Sequence, residues 1–414
     1  MFFSRLGREL ARRGHAVHRI NFNAGDRLYW RLPGSADYRG SLKHWPQFLE
    51  KCLSAWGITD IVLFGDWRPL HAEAIRIAAR HGIAVHVFEE GYLRPDWVTL
   101  ERGGVNTNSS LPRDPAWFRR EAAALPAWRD GVAVAGDFAT RAALDVVYHV
   151  WSFLFAWLYP RYRTHLPLHP FREYLGWTGR FLRRRRQARE SNRQLDSLAA
   201  GGRPYFLFPL QLDTDSQLRL NSPHRRLAPV IEEVLTSFAR HAPGEMSLVL
   251  KEHPLDPQVV DWQAMARTFA SRLGIEDRVF YLRSGDIMLL TAHSRGVVTV
   301  NSTCGMLALS RGVPVMTLAS PVYDIPGLTF QLGLERFWTE PSGPDPALFD
   351  AFRRVVVHRT QINGGFYCAP GTRLAVEGAA LRLESAPVEP GLTVIAASRA
   401  VPPLGTALSP GEAA

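Results

Sequence analysis

The period of the apolar positions changes again and again along the first ninety residues. Leu6 and Leu10 recur at helical spacing and predict an amphipathic helix, followed by a strand over Ala16 to Phe22. Leu42 to Trp56 reads as a helix and Asp60 to Asp66 as a strand. "RPLHAEAIRIAARHG" reads as a helix that stops at Gly82, and "IAVHVF" as the next strand. Strand, helix, strand at this spacing is a βαβ unit and implies a parallel sheet. A domain of this kind normally opens on a strand, so a first strand is expected just upstream of the opening helix.

From residue 203 the alternation resumes. "PYFLFPLQ" is strand-like, Leu227 to His241 helical, "SLVLKEHP" strand-like and Trp262 to Leu273 helical. "RVFYL", "SGDIMLLTAHS", "GVVTVNST", "CGMLALSRG" and "VPVMTLA" continue the series. The fold class is therefore α/β, with two Rossmann-like doubly wound domains facing a cleft, the GT-B layout of nucleotide-sugar glycosyltransferases. The expected divisions are 1–141 for an N-terminal acceptor domain, 142–200 for a helical aromatic and basic connector, and 201–385 for a C-terminal nucleotide-sugar domain. Residues 386–414, rich in Pro, Ala and Gly, are expected to form a tail without a fixed fold.

The connector has two readings. Tyr148, Trp151, Phe153, Phe155, Trp157 and Tyr159 precede "GRFLRRRRQAR", Gly179 to Arg189. These aromatics either pack into a core or sit at an anionic membrane surface with the arginines on headgroups. The apolar run Val146 to Tyr159 is about fourteen residues, short of the ~20 that a spanning helix needs.

Composition narrows the chemistry. At 414 residues, with 46% hydrophobic and 21% charged positions, the chain is long enough for two cores. A net charge of +10 suits a partner carrying phosphates or carboxylates. Cys52, Cys304 and Cys368 are scattered without a CxxC, which argues against a disulfide framework and a zinc site and fits a reducing cytosol. GxGxxG and GxxxxGK[ST] are both missing, so dinucleotide oxidoreduction and P-loop hydrolysis lose ground. No RNP, helix-turn-helix or finger pattern accompanies the arginines, and no nucleic-acid partner is expected. No metal and no cofactor are expected either.

Four stretches carry candidate chemistry, each at the end of an expected strand, where open α/β sheets bind ligands. "HVFEEGYLRP" delivers two carboxylates, Glu89 and Glu90, to a strand tip before Gly91. Neighbouring strand residues face opposite sides, so one of the two is expected in the cleft. "FPLQLDTDSQ" places Gln211, Asp213, Asp215 and Ser216 after a strand, as sugar ligands, a catalytic carboxylate or an Asx-rich turn. "VLKEHPLD" sets Lys251 and His253 two apart, before Pro254, on one face suited to a diphosphate or phosphate ester. "VVTVNSTCG" runs a strand into Asn301, Ser302 and Thr303 with Gly305 opening a helix, which makes either a phosphate site or ordinary N-capping.

Together "NFNAGD", "FGDWRP", "FEEGYLRPDWVTLERGGVN", "PLQLDTDSQLR", "KEHPLD" and "VNSTCG" resemble the capsule polysaccharide biosynthesis proteins of the KpsS type, over roughly residues 2 to 375. That family is itself similar to bacterial sialyltransferases, whose acidic-acidic-Gly, His-Pro and Ser/Thr marks correspond here to Glu89-Glu90-Gly91, His253-Pro254 and Ser302-Thr303. The resemblance implies a retaining β-Kdo transferase that uses CMP-Kdo and a phosphatidylglycerol or lyso-phosphatidylglycerol acceptor and starts the capsule glycolipid. It also implies a cytoplasmic protein peripheral to the inner membrane, in contact with other capsule assembly proteins. By the same resemblance Asp215 is the nucleophile or oxocarbenium stabiliser, with Asp213 second, and one of Glu89 or Glu90 is the general acid/base. Gln211, Lys251, His253, Pro254, Asn301, Ser302, Thr303 and Gly305 form the nucleotide and substrate site. Two other readings fit the same residues: a non-catalytic scaffold of capsule assembly, and a sialyltransferase-like enzyme with a different CMP-sugar.

Overall fold

The computed structural model describes residues 1–134, 138–164, 170–220 and 222–385. The tail expected over 386–414 lies outside the described residues.

The first half runs α1 (Phe2–Arg12), β1 (Arg19–Asn21), α2 (Ala24–Tyr29), β2 (Ser35–Asp37), α3 (Trp45–Trp56), β3 (Asp60–Phe64), α4 (Pro69–Arg80), β4 (Ala84–Glu90), β5 (Trp97–Arg102) and α5 (Pro115–Ala123). Local signals set the helix ends. Asn23 accepts from the Asp26 N–H to cap α2, Pro69 opens α4 at a position where its missing N–H costs nothing, and Gly57 ends α3 at φ +59.

The strand expected over Ala16 to Phe22 is shorter, because only Arg19–Asn21 finds a partner, in parallel β2. Strand β4 is longer than "IAVHVF" suggests. Chain reversal after Gly91 brings β5 back antiparallel, so Glu89 pairs with Thr99 and Glu90 with Val98. Both glutamates are thus inside the strand.

The middle of the chain is helical, with α6 (Phe138–Leu154) and α7 (Pro170–Gly201). Helix α6 rests on α2: Tyr148 lies against Gly25 and accepts from Asn23, and Tyr29 donates to the Leu144 carbonyl. Helix α7 is tied to the second half by Arg180 on Glu252 and by Ser191 Oγ, which accepts from the Arg283 and Ser284 N–H groups. The aromatic run divides. Tyr159 is buried, whereas Trp151, Phe153 and Trp157 are exposed, as are Leu175, Phe181 and Leu182 of α7.

The second half continues β6 (Tyr205–Pro209), α8 (Ser216–Leu220), α9 (Leu227–His241), β7 (Ser247–Lys251), α10 (Trp262–Leu273), β8 (Val279–Leu282), α11 (Ile287–Ala292), β9 (Gly296–Thr299), α12 (Thr303–Ser310), β10 (Val315–Thr317), α13 (Leu334–Phe337) and α14 (Pro346–Thr360). Its sheet is wholly parallel, in the order β10-β9-β6-β7-β8. Strands β6, β7 and β9 are buried on both faces, which is why they read as unbroken apolar runs.

The chain then returns to the first half. Strand β11 (Gln361–Asn363) pairs antiparallel with β5, and α15 (Ala369–Glu384) packs on α1. The last part of the span expected to form the second domain therefore completes the first sheet, ordered β11-β5-β4-β3. The halves also join through α5 and α14, where Phe118 meets Phe352 and Arg359 donates to Glu121.

Candidate active site

In the second sheet the strand order reverses between β6 and β9, the switch point at which open parallel sheets leave a crevice. The residues just beyond those two strands meet there. Gln211 donates to the Asn301 side-chain oxygen at 2.8 Å and accepts from the Asn301 N–H at 3.0 Å. It also reaches Asp215 Oδ2 at 3.3 Å, while Asp215 Oδ1 accepts from the Gln217 N–H at 2.9 Å. Burial raises the Asp215 pKa, and the Gln217 N–H, the Gln211 amide and the charge of Arg94 restrain that rise. Asp213 faces elsewhere. Its carboxylate accepts from the Leu227 N–H at the start of α9 and lines a separate small pocket of about 110 Å3 with Trp262.

Strand β4 supplies the opposing group. Glu89 and Glu90 diverge, as the pleat requires. Glu90 faces Arg141 at 3.7 Å, and Arg141 lies over the Tyr367 ring. Glu89 lies within electrostatic range of Asp215 and Asp66. Burial, followed by the charges of Glu90, Asp215 and Asp66, pushes its carboxyl up to about 7 against the pull of a hydrogen bond from the Glu90 N–H. Glu101 also rises to about 7, but it is sealed inside the protein on Tyr92 and Ser109 and reaches no cleft. Gly91 has no room for a side chain, since a Cβ would stand 2.3 Å from the Trp97 carbonyl oxygen.

The cationic edge follows β7. Lys251 is buried, donates to the Glu252 carbonyl and is lowered in pKa by that burial. His253 falls to about 4, through burial first and then the charges of Arg94, Lys251 and Arg180. Its Nδ1 accepts from the Leu255 N–H at 3.0 Å, which puts the ring proton on Nε2. Pro254 follows at the turn. Ser302 caps α12 by accepting from the Cys304 N–H at 3.2 Å, and Thr303 begins the helix. Gly305 lets Tyr323 pack against α12, because a Cβ there would meet the phenol oxygen at 2.3 Å.

Comparison with known proteins matches the chain to a family. The model of the family described as "Capsule polysaccharide biosynthesis protein" covers residues 59–367. The chain belongs to that family. Among curated family members it is similar to the "Capsule polysaccharide export protein KpsS" of Escherichia coli, 35% identical over 372 residues, spanning 88% of this chain and 94% of that one. The "Capsule polysaccharide modification protein LipB" of Neisseria meningitidis serogroup B is also 35% identical over 374 residues, covering 88% and 89%. Among solved structures, the "beta Kdo 2,7 transferase" of Thermosulfurimonas dismutans KpsC aligns over 89% of this chain and 98% of its own, at 15% identity and a TM-score of 0.47.

Within this family member, the fold gathers Glu89, Gln211, Asp215 and Asn301 at one place and sets Glu90 and Asp213 on other partners. It also adds residues that the sequence reading omits. Arg94, four positions after Glu90, acts electrostatically on Asp215, His253 and Cys304. Asp66, at the end of the "FGD" segment, holds the Val105 N–H and Asn108 and adds charge beside Glu89. A cation inside the otherwise acidic "FEEGYLRP" block was the available clue to Arg94.

Proposed function

We propose that this chain is a glycosyltransferase that moves Kdo from CMP-Kdo to a phosphatidylglycerol or lyso-phosphatidylglycerol acceptor, with retention and a β linkage, to start the capsule glycolipid. The observation that supports this reading is that two carboxyls raised in pKa by burial, Glu89 on the first sheet and Asp215 beyond β6 of the second, lie near enough for the charge of Asp215 to act on Glu89. Retention calls for two successive displacements. Asp215 attacks the anomeric carbon as the bond to the CMP phosphate breaks, and the acceptor hydroxyl then displaces Asp215 while Glu89 takes its proton. A carboxyl near 7 is suited to holding and releasing that proton at neutral pH. Charge on the departing phosphate is met by the neutral His253 Nε2–H, by Lys251, and by the Ser302 and Thr303 hydroxyls at the α12 N-terminus.

A lipid acceptor also gives the exposed side of the helical middle a role. Trp151, Phe153, Trp157, Phe181 and Leu182 would enter the interface, and the exposed Arg183 to Arg186 would meet anionic headgroups of the inner membrane's cytoplasmic face. No described helix is long and apolar enough to cross a membrane.

The test is incubation with CMP-Kdo alone, then with lyso-phosphatidylglycerol, with CMP-sialic acid run in parallel. A single Kdo adduct on the peptide carrying Gln211 and Asp215, absent in Asp215→Asn, is the expected result. Absence of CMP release in every arm would refute catalysis and favour a scaffold; release from CMP-sialic acid alone would refute the donor.

A further inference from the structure

The edge that carries His253 is gripped by helix α7. The sheet holds the chain as far as Glu252, whose N–H donates to the Leu282 carbonyl at 2.8 Å, while the Lys251 carbonyl accepts from the Leu210 N–H at 2.9 Å. The chain then leaves the ladder in a tight turn. The Asp256 N–H donates to the His253 carbonyl at 3.1 Å, and the Leu255 N–H fixes the imidazole through Nδ1. Neighbouring positions of an extended segment face opposite sides, so Glu252 points away from the face shared by Lys251 and His253.

The Glu252 side chain is 2% exposed and is met on both oxygens. Oε1 accepts from Gln258 Nε2 at 2.6 Å and from Arg180 at 3.3 Å. Oε2 accepts from the Tyr281 hydroxyl at 2.9 Å and lies 3.5 Å from Arg283. Arg180 does more than pair with this carboxylate. The same guanidinium nitrogen donates to the Asp256 carbonyl, so one group spans the turn from Glu252 to Asp256, with His253, Pro254 and Leu255 between them. After burial and the charges of Arg94 and Lys251, the charge of Arg180 is a further cause that keeps the imidazole neutral.

Helix α7 is shaped to bring Arg180 there. Gly176, Arg180, Gln187 and Ser191 recur at helical spacing and form one stripe. At Gly176 a Cβ would stand 2.3 Å from the Pro257 carbonyl oxygen, so the helix backbone lies against the loop. Gln187 donates to Gln258 at 2.7 Å, and Ser191 holds the Arg283 and Ser284 N–H groups. Arg180 itself lies over the Trp177 ring, 5.6 Å from its centroid.

We propose that Arg180 is a positioning residue for the transfer: from α7 it clamps the turn over residues 252–256 and so aims the His253 Nε2–H at the departing phosphate, which rests on His253 being the group that meets that phosphate. A preorganised donor acts only at hydrogen-bond distance from the charge that develops, and a misplacement of about 1 Å costs on the order of 10²-fold in rate. Replacing Arg180 leaves Glu252 with Gln258, Tyr281 and Arg283, so the buried carboxylate keeps partners.

The test is Arg180→Met in the full chain, alone and combined with His253→Gln, with CMP release from CMP-Kdo and amide exchange measured on the same preparations. In Arg180→Met kcat should fall about tenfold or more with KM within about threefold, since the lost aim is felt in the transition state. Exchange should quicken about tenfold over residues 253–258 and stay unchanged in α9. In the His253→Gln chain the same substitution should change kcat less than about twofold, because the group it acts through has gone. An unchanged kcat, a tenfold loss that persists without His253, or unchanged exchange over the turn would overturn the proposal and leave Arg180 a structural contact only. A parent chain that releases no CMP sinks the transferase reading itself, and the role of Arg180 toward a phosphate with it.

Discussion

Replacing Glu89 with Gln should make the protein more stable at alkaline pH while removing its activity. In the unfolded chain this carboxyl ionises near 4.5, whereas in the fold it does so at about 7. A raised acid pKa means that the native state resists the charge. Stability is therefore lost as pH rises from 4.5 to 7 and stays low above that. At 1.36 kcal/mol per pH unit, the penalty accumulated between pH 5 and 8 is roughly 2–3 kcal/mol. The neutral amide of the Glu89→Gln variant would carry no such penalty. Titrating groups outside the reach of Glu89 are common to both proteins and cancel in the difference. With an unfolding entropy of about 2.1 cal/mol/K per residue, the Tm of E89Q relative to the parent should rise by about 3 °C from pH 5 to pH 8. The assay is paired thermal scans at the two pH values, with CMP-Kdo turnover measured on the same samples and expected to fall about 10²–10⁴-fold. A Tm difference that does not change with pH would refute the argument that burial and neighbouring charge raise the Glu89 pKa.

Other expectations follow from the same geometry. Glu90→Gln releases the 3.7 Å contact to Arg141 and removes one of the charges that raise Glu89, which burial raises first, so its turnover should stay within about threefold of the parent, by CMP-release assay, and its stability within about 1 kcal/mol. Gly91→Ala places a Cβ 2.3 Å from a backbone oxygen that cannot move cheaply, and a loss of roughly 2–4 kcal/mol in chemical denaturation is expected. Because His253 titrates at about 4, a kcat/KM profile from pH 5.5 to 8 should show no ionisation belonging to it: His253→Gln should lower the whole profile without changing its shape. Converting Arg183 to Arg186 to Gln should weaken sedimentation with phosphatidylglycerol vesicles about tenfold or more while leaving hydrolysis of CMP-Kdo in solution unchanged.

The order of apolar and polar positions was enough to establish the α/β class, because buried parallel strands are continuous apolar runs and helices keep their own period. It also marked the strand ends that carry Glu89, Asp215, His253 and Ser302. What those ends do depends on the packed chain. Which glutamate lies near Asp215 depends on the pleat continuing through Glu90, and that continuation depends on β5 pairing from the far side of Gly91. Asp213 and Asp215 look equivalent in a "DTD" triplet, yet one holds the start of α9 and the other meets Gln211, because the backbone turns between them. Likewise β11 and α15 belong to the first sheet although they follow the second, a pairing across more than 250 residues that no local pattern encodes. Local propensity acts over a few residues. The pKa of a carboxyl and the partner of a strand edge are set by whatever the whole chain brings beside them.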